Sequence, residues 1–144
     1  MKKYLLYLLL ASLLLSACSA GGQKPLIGTW TLTAYGPQSA TSPVVPNSQP
    51  TLTFNSDGTV AGSSGCNGFG GNYKLDGSQI AFSSLVSTLM ACEETLMAQE
   101  GTVFKVLNGT AAYSIEGDTL TITNAGMALV FHSGQPQAYP AYPQ

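Results

Sequence analysis

No arginine occurs among the 144 residues, histidine and tryptophan occur once each, and charged residues make up only 8% of the chain. Each shortage closes off a class of chemistry. Nucleic-acid binding draws on counterion release by clustered Lys and Arg; the five lysines form no such cluster, so no nucleic-acid partner is expected. A lone His132 cannot build a His-based metal site. It could serve a Ser-His-Asp site only beside an activated serine, and no Gly-x-Ser-x-Gly turn is present. The Gly-rich run Gly62 to Gly71 lacks the Lys-Ser/Thr pair of a phosphate loop and leads into a strand pattern, so no helix N-terminus waits for an anion. The chain is therefore expected to be no enzyme and to hold no cofactor or metal.

Cysteine is scarce as well, and the three that occur, Cys18, Cys66 and Cys92, are an odd number for a secreted chain. Met1, Lys2 and Lys3 precede an apolar run from Tyr4 to Leu15 and the small residues Ser16 and Ala17, the layout of a secretory signal. The run is too short for a membrane span, which needs about 20 apolar residues. Leu15-Ser16-Ala17-Cys18 resembles the lipobox of bacterial lipoproteins. That resemblance implies cleavage just before Cys18 and a diacylglycerol on its sulfur; the other reading is a plain small-residue cut that leaves Cys18 a thiol. With Cys18 acylated, Cys66 and Cys92 remain as a pair in an oxidising compartment where disulfides persist. Acyl chains worth about 0.8 kcal/mol per buried methylene would anchor the N-terminus to a membrane. Ser19 stands where lipoproteins retained in the inner membrane carry Asp, which in a Gram-negative cell implies an outer-membrane location facing the periplasm.

Four segments follow: a signal at 1–17, a lipidated tether at 18–26, a domain at 27–132 and a Pro/Tyr-rich tail at 133–144, read as disordered or polyproline-like. Removing 1–17 leaves three lysines against seven carboxylates, a formal charge of −4. Within the domain, Trp30, Leu32 and Ala34 alternate with Thr29, Thr31 and Thr33, the period of a half-buried strand. Gly36 to Pro50 is too rich in Pro for a central strand. Asp57-Gly58, Asp76-Gly77 and Gly117-Asp118 each sit between strand-like runs and supply the positive φ of tight hairpin turns. A last strand, Met127 to His132, follows Asn124-Ala125-Gly126. Between them, Glu93 to Leu107 has helical spacing through Leu96, Met97, Val103, Phe104 and Leu107, with Glu93 and Glu94 in the first turn and Asn108-Gly109 at the end. The expected fold is α+β: a strongly curved antiparallel sheet of about eight strands, an open or cracked barrel, packed on one central helix.

The centre of the chain carries a family likeness. Gly65 to Tyr73 (GCNGFGGNY) and Ser87 to Glu94 (STLMACEE) resemble the two motifs of the META domain, or HslJ-like, family, through Cys66, Asn67, Phe69, Gly71 and Tyr73 in the first and Thr88, Met90, Ala91 and Cys92 in the second. The likeness runs from Gly28 and Trp30 to Phe131. Leu89 departs from it, standing where many members have Arg or Lys. A Cys66–Cys92 bridge, closing 27 residues counting both ends, would stabilise the fold by about 3.5 kcal/mol in the chain-entropy account. Asn67 reads most simply as a turn residue satisfying nearby backbone, with ligand contact as the other reading. Phe69 and Tyr73 are expected to bury their rings, Trp30 to be core, and Met90 and Met97 to fill gaps.

The resemblance implies a non-catalytic envelope lipoprotein, linked to heat or other stress, that stabilises or docks an envelope protein through an apolar groove or barrel mouth. Two other readings stay open. Gly28-Thr29-Trp30 is similar to the Gly-x-Trp entry of lipocalin barrels, which enclose a small apolar ligand, and Gly36 to Pro50 could act as a protease-inhibitor loop.

Overall fold

The computed structural model describes residues 25–134; Cys18, the signal, most of the tether and most of the tail lie outside these residues. Strand β1 (Gly28–Pro37) is followed by a two-residue strand β2 (Ser42–Pro43), then β3 (Thr51–Phe54), β4 (Thr59–Ser63), β5 (Gly68–Asp76) and β6 (Gln79–Ser87). Helix α1 (Glu94–Val106) comes next, and β7 (Thr110–Glu116), β8 (Thr119–Asn124) and β9 (Met127–Ser133) complete the chain. Every pairing is antiparallel, and each strand from β3 onward lies beside its sequence neighbour. β1 pairs with β3 on one edge and with β9 on the other, from Trp30↔Ser133 to Pro37↔Met127. The ring of eight strands is thus closed, where an open or cracked barrel was expected. β2 hangs beside β1 through Ala34↔Pro43 and Tyr35↔Ser42, a position in which Pro43 interrupts no central ladder.

The three expected hairpins form at the expected turns, and Gly58, Gly77 and Gly117 all take positive φ. Alternate residues point inward: Trp30, Leu32, Leu52, Phe54, Val60, Ile80, Leu120, Ile122, Leu129 and Phe131 are all buried in one cluster. Trp30 also donates its indole N–H to the Leu26 carbonyl at 2.8 Å. Leu26, assigned to the tether, is itself buried, so packing begins one residue ahead of the expected boundary. At the other boundary Ser133, assigned to the tail, is still in β9 and donates its backbone N–H to the Asp118 carbonyl.

One end of the barrel carries the β3–β4, β5–β6 and β7–β8 turns and the chain's entry at Gly28; the opposite end carries the β4–β5 turn, the β6–α1 loop and the β8–β9 turn. α1 belongs to the second end. Val103 and Val106 enter the core from it, Phe104 meets Phe69 edge-on at 5.4 Å, and Asn124 Nδ2 donates to the carbonyls of Val106 and Asn108. Burying each valine is worth roughly 1.5–3 kcal/mol. That burial offsets Gly101, which stands exposed mid-helix. The buried stripe is Gln99, Val103 and Val106; Met97, expected inside, is exposed.

Candidate functional site

The two family motifs meet at this second end. Cys66, in the β4–β5 turn, is bonded to Cys92 just before α1, with Cα atoms 6.1 Å apart, within the span a disulfide needs. Beside the bond Asn67 is 1% exposed. Its Nδ2 donates to the Met90 carbonyl at 3.1 Å and to Glu100 Oε1 at 3.0 Å. Its Oδ1 accepts from Thr88 Oγ1 at 2.7 Å and from the Met90 N–H at 2.8 Å. The local turn role expected for Asn67 is therefore corrected. The side chain reaches a loop more than twenty residues on, because the bridge brings that loop alongside, and all its polar atoms are used within the protein, which leaves none for a ligand.

Three residues that the sequence did not mark complete the arrangement. Ser64 is buried; its hydroxyl accepts the Asn67 backbone N–H at 3.0 Å and donates to Glu100 Oε2. Gln99, buried inside α1, donates to the Ser64 carbonyl at 2.7 Å and accepts the Val45 N–H at 2.8 Å, and Ser48 lies in reach of its amide. The segment after β2 is thereby tied to the helix through Val45 and Ser48, with Pro50 buried. A polar residue inside the 96–99–103 helical stripe was the available signal for Gln99. Glu100, the third, accepts from both Asn67 Nδ2 and the Ser64 hydroxyl, and its place in the helical spacing does not announce that role. Every buried side-chain N or O among the described residues has a partner, as native interiors require.

The other motif residues are structural. Phe69 is buried against Phe104. Tyr73 is buried edge-on to Phe54 at 4.9 Å and donates its hydroxyl to the Asn55 carbonyl at 2.8 Å; burial, and then the Asp57 charge, push its phenol pKa above the ordinary value. Gly71 lies at the β5–β6 register shift, where an added Cβ would come 2.8 Å from Leu85 and 2.9 Å from the Ser83 carbonyl. Ala91 is exposed between Met90 and Cys92.

What this framework presents is apolar. Leu89 is 96% exposed, Val86 72% and Met90 57%. Met90, expected to fill a gap, points outward because its N–H and carbonyl both turn inward to Asn67. No charged residue occurs from Ser78 to Cys92. A shallow depression of about 230 Å³ lies at the opposite end, lined by Pro25, Ile27, Trp30 and Ser133. Among the described residues no three His, Cys, Asp or Glu side chains lie together as a metal site would need, and no helix is long and apolar enough to cross a membrane.

These features define an eight-stranded antiparallel barrel with one helix at an end that a disulfide and a buried asparagine staple together. A META domain model matches residues 24–136, and the chain belongs to the META domain family. Its fold is similar to that of a protein from Burkholderia xenovorans solved by NMR (25% identity over 73% of this chain and 80% of that one, TM-score 0.61). It is also similar to a lipocalin-like protein from Bacteroides uniformis (19% identity, 76% and 98% covered, TM-score 0.54) and a DUF4847 family protein from Bacteroides vulgatus (14% identity, 78% and 96% covered, TM-score 0.58). No curated protein matches the chain.

Proposed function

We propose that this is a lipid-anchored lipoprotein of the bacterial envelope, on the outer membrane facing the periplasm, whose barrel is a non-catalytic docking module serving envelope assembly or stress. The observation that carries the reading is the stapled β6–α1 loop. Leu89 and Met90, which follow the exposed Val86 in sequence, are held in solvent by the disulfide and by the bonds of buried Asn67 to Thr88 and Met90, and a rigid exposed apolar surface marks an interaction site. A methionine there suits a surface that adapts to its partner. Cys18 supplies the anchor, and its tether meets the barrel at the end opposite the loop, which leaves the patch clear of the attachment point.

The test is a photo-crosslinking residue in place of Leu89 in the full-length protein in its own envelope, with Lys74, near the other barrel end, as the control position. An adduct specific to position 89, whose partner then binds the purified Leu89→Asp protein at least about tenfold more weakly, supports docking. Equal labelling from both positions overturns it. The small-ligand reading rests on barrel shape and on Gly28-Thr29-Trp30, whose Trp30 is buried in the core. Native mass spectrometry that finds a bound lipid or metabolite on the purified protein would revive it.

A further inference from the structure

Strand β6 is accompanied on both sides for only part of its length. β7 follows it through Gln79, Ile80 and Ala81, and one further bond joins the Phe82 N–H to the Gly109 carbonyl. Among the described residues, Ser83, Val86 and Ser87 are paired with β5 alone, and Ser84 and Leu85 fall in the register shift between them. An unpaired strand edge is a row of backbone donors and acceptors that another extended backbone can satisfy, and proteins that do not use such an edge guard it with Lys, Pro or inward charge. Here the segment is Ser83-Ser84-Leu85-Val86-Ser87, with no charge and no proline, and all but Leu85 are exposed. It runs straight into the stapled loop that holds up Leu89 and Met90.

We infer that Ser83 to Ser87 is an acceptor edge for an extended, uncharged segment of a partner protein, which adds to β6 as a new strand on the side β7 leaves and lays alternate apolar side chains against Val86, Leu89 and Met90. This rests on the docking role proposed above and specifies its recognition mode, in which backbone bonds give affinity and side-chain pockets give selectivity. Other occupants fit less well. The N-terminal segment outside the described residues joins at Pro25, at the opposite barrel end. The C-terminal ten residues carry Pro136, Pro140 and Pro143, each lacking a ladder donor. A second copy would offer an edge as bent as this one: Ser84 has φ 54° at the register shift, and two rigid bulged edges cannot stay in register across the bulge, whereas a flexible segment follows the bend.

The test uses the full-length lipidated protein in detergent and a short peptide alternating threonine and valine with a lysine at each end. Saturating peptide is expected to slow exchange, by at least about tenfold, at those amides of Ser83 to Ser87 that point away from β5. The same peptide N-methylated on alternate backbone nitrogens keeps its side chains and is expected to bind at least about tenfold more weakly, as is the parent peptide to Val86→Lys, a change at an exposed site that leaves the melting temperature alone. The inference is overturned if those amides are unaffected by peptide, if N-methylation makes no difference, or if they are already protected without peptide, either in a dimer or until residues 135–144 are removed. A specific crosslink from position 89 combined with any of these failures keeps docking and discards strand addition.

Discussion

Replacing Asn67 tests whether the motif is a staple. In Asn67→Ala five hydrogen bonds disappear: three donated by Nδ2, to Met90 O, to Glu100 and, weakly at 3.3 Å, to Cys66 Sγ, and two accepted by Oδ1, from Thr88 and the Met90 N–H. Each neutral bond is worth about 1 kcal/mol net and the one to a charged carboxylate about 1.5–3 kcal/mol. Thr88 is exposed and Glu100 half-buried, so water recovers part of the loss, and a cost of about 3–4 kcal/mol remains. For a domain of this size that lowers the melting temperature by roughly 12–20 °C. Asn67→Asp is the sharper variant. It puts a carboxylate where Nδ2 stood, 3.0 Å from Glu100 Oε1 and 3.1 Å from the Met90 carbonyl, so repulsion replaces two donated bonds.

The sign of the pH dependence follows. Burial and the facing carboxylate both raise the folded-state pKa of the introduced acid. Its penalty is therefore absent below the unfolded carboxylate value of about 4 and grows as pH rises through the raised folded value. Asn67→Asp should be less stable than Asn67→Ala near about pH 7 and converge on it in acid, and adding Glu100→Gln should remove most of the difference. Thermal unfolding by circular dichroism across that range, with the disulfide intact, measures all three. A cost below about 1 kcal/mol for Asn67→Ala, or an Asp variant that parallels the Ala variant at every pH, would refute the staple.

Removing the bridge with Cys66→Ser and Cys92→Ser should cost about 3.5 kcal/mol in urea unfolding, for a sequence separation of 26, and should speed amide exchange in the β6–α1 loop before the barrel opens. Two glycine-to-alanine changes should have opposite signs. Gly71→Ala drives a Cβ into the Ser83 carbonyl and Leu85 and should destabilise by about 1–3 kcal/mol; Gly101→Ala, in open space on the helix, should stabilise by about 0.5–1 kcal/mol. The raised Tyr73 pKa means that its contribution is whole below the unfolded phenol value of about 10 and is lost as pH climbs through the folded one. Tyr73→Phe should thus cost about 1 kcal/mol at neutral pH and flatten the alkaline end of the stability profile.

The hairpins were legible because Asp57-Gly58, Asp76-Gly77 and Gly117-Asp118 are local signals, and the helix because its apolar spacing is local too. Barrel closure was not, since β1 reaches β9 across almost the whole domain and nothing in Thr29 to Tyr35 announces which strand lies on its second edge. The site shows the same divide. Asn67 could be seen to matter through the family motif, but its partners Met90 and Glu100 depend on how β5, the bridge and α1 converge. Met90 and Met97 were misplaced because an apolar side chain is assigned to the core by default, and only the Met90 backbone bonds to Asn67 explain why its side chain is turned out.

That outward turn decides how the loop can act. Fixing a residue's backbone costs about 1–2 kcal/mol, so a floppy loop from Ser87 to Ala91 would surrender several kcal/mol on docking. In this chain the disulfide holds its far end at Cys92, Asn67 holds both polar groups of Met90 and the hydroxyl of Thr88, and the Thr88 N–H is bonded to the Gly68 carbonyl at 3.0 Å. The ordering is done during folding, and an arriving partner meets Leu89 and Met90 already in place, the condition under which a small apolar patch binds usefully. A reduced protein keeps the same side chains on a loop that has lost its anchor at Cys92 and is held by Asn67 and Gly68 alone. If docking depends on the staple, reduction should weaken partner binding well before it unfolds the barrel, mainly through faster dissociation; equal off-rates for the oxidised and reduced proteins would mean that the loop's rigidity plays no part.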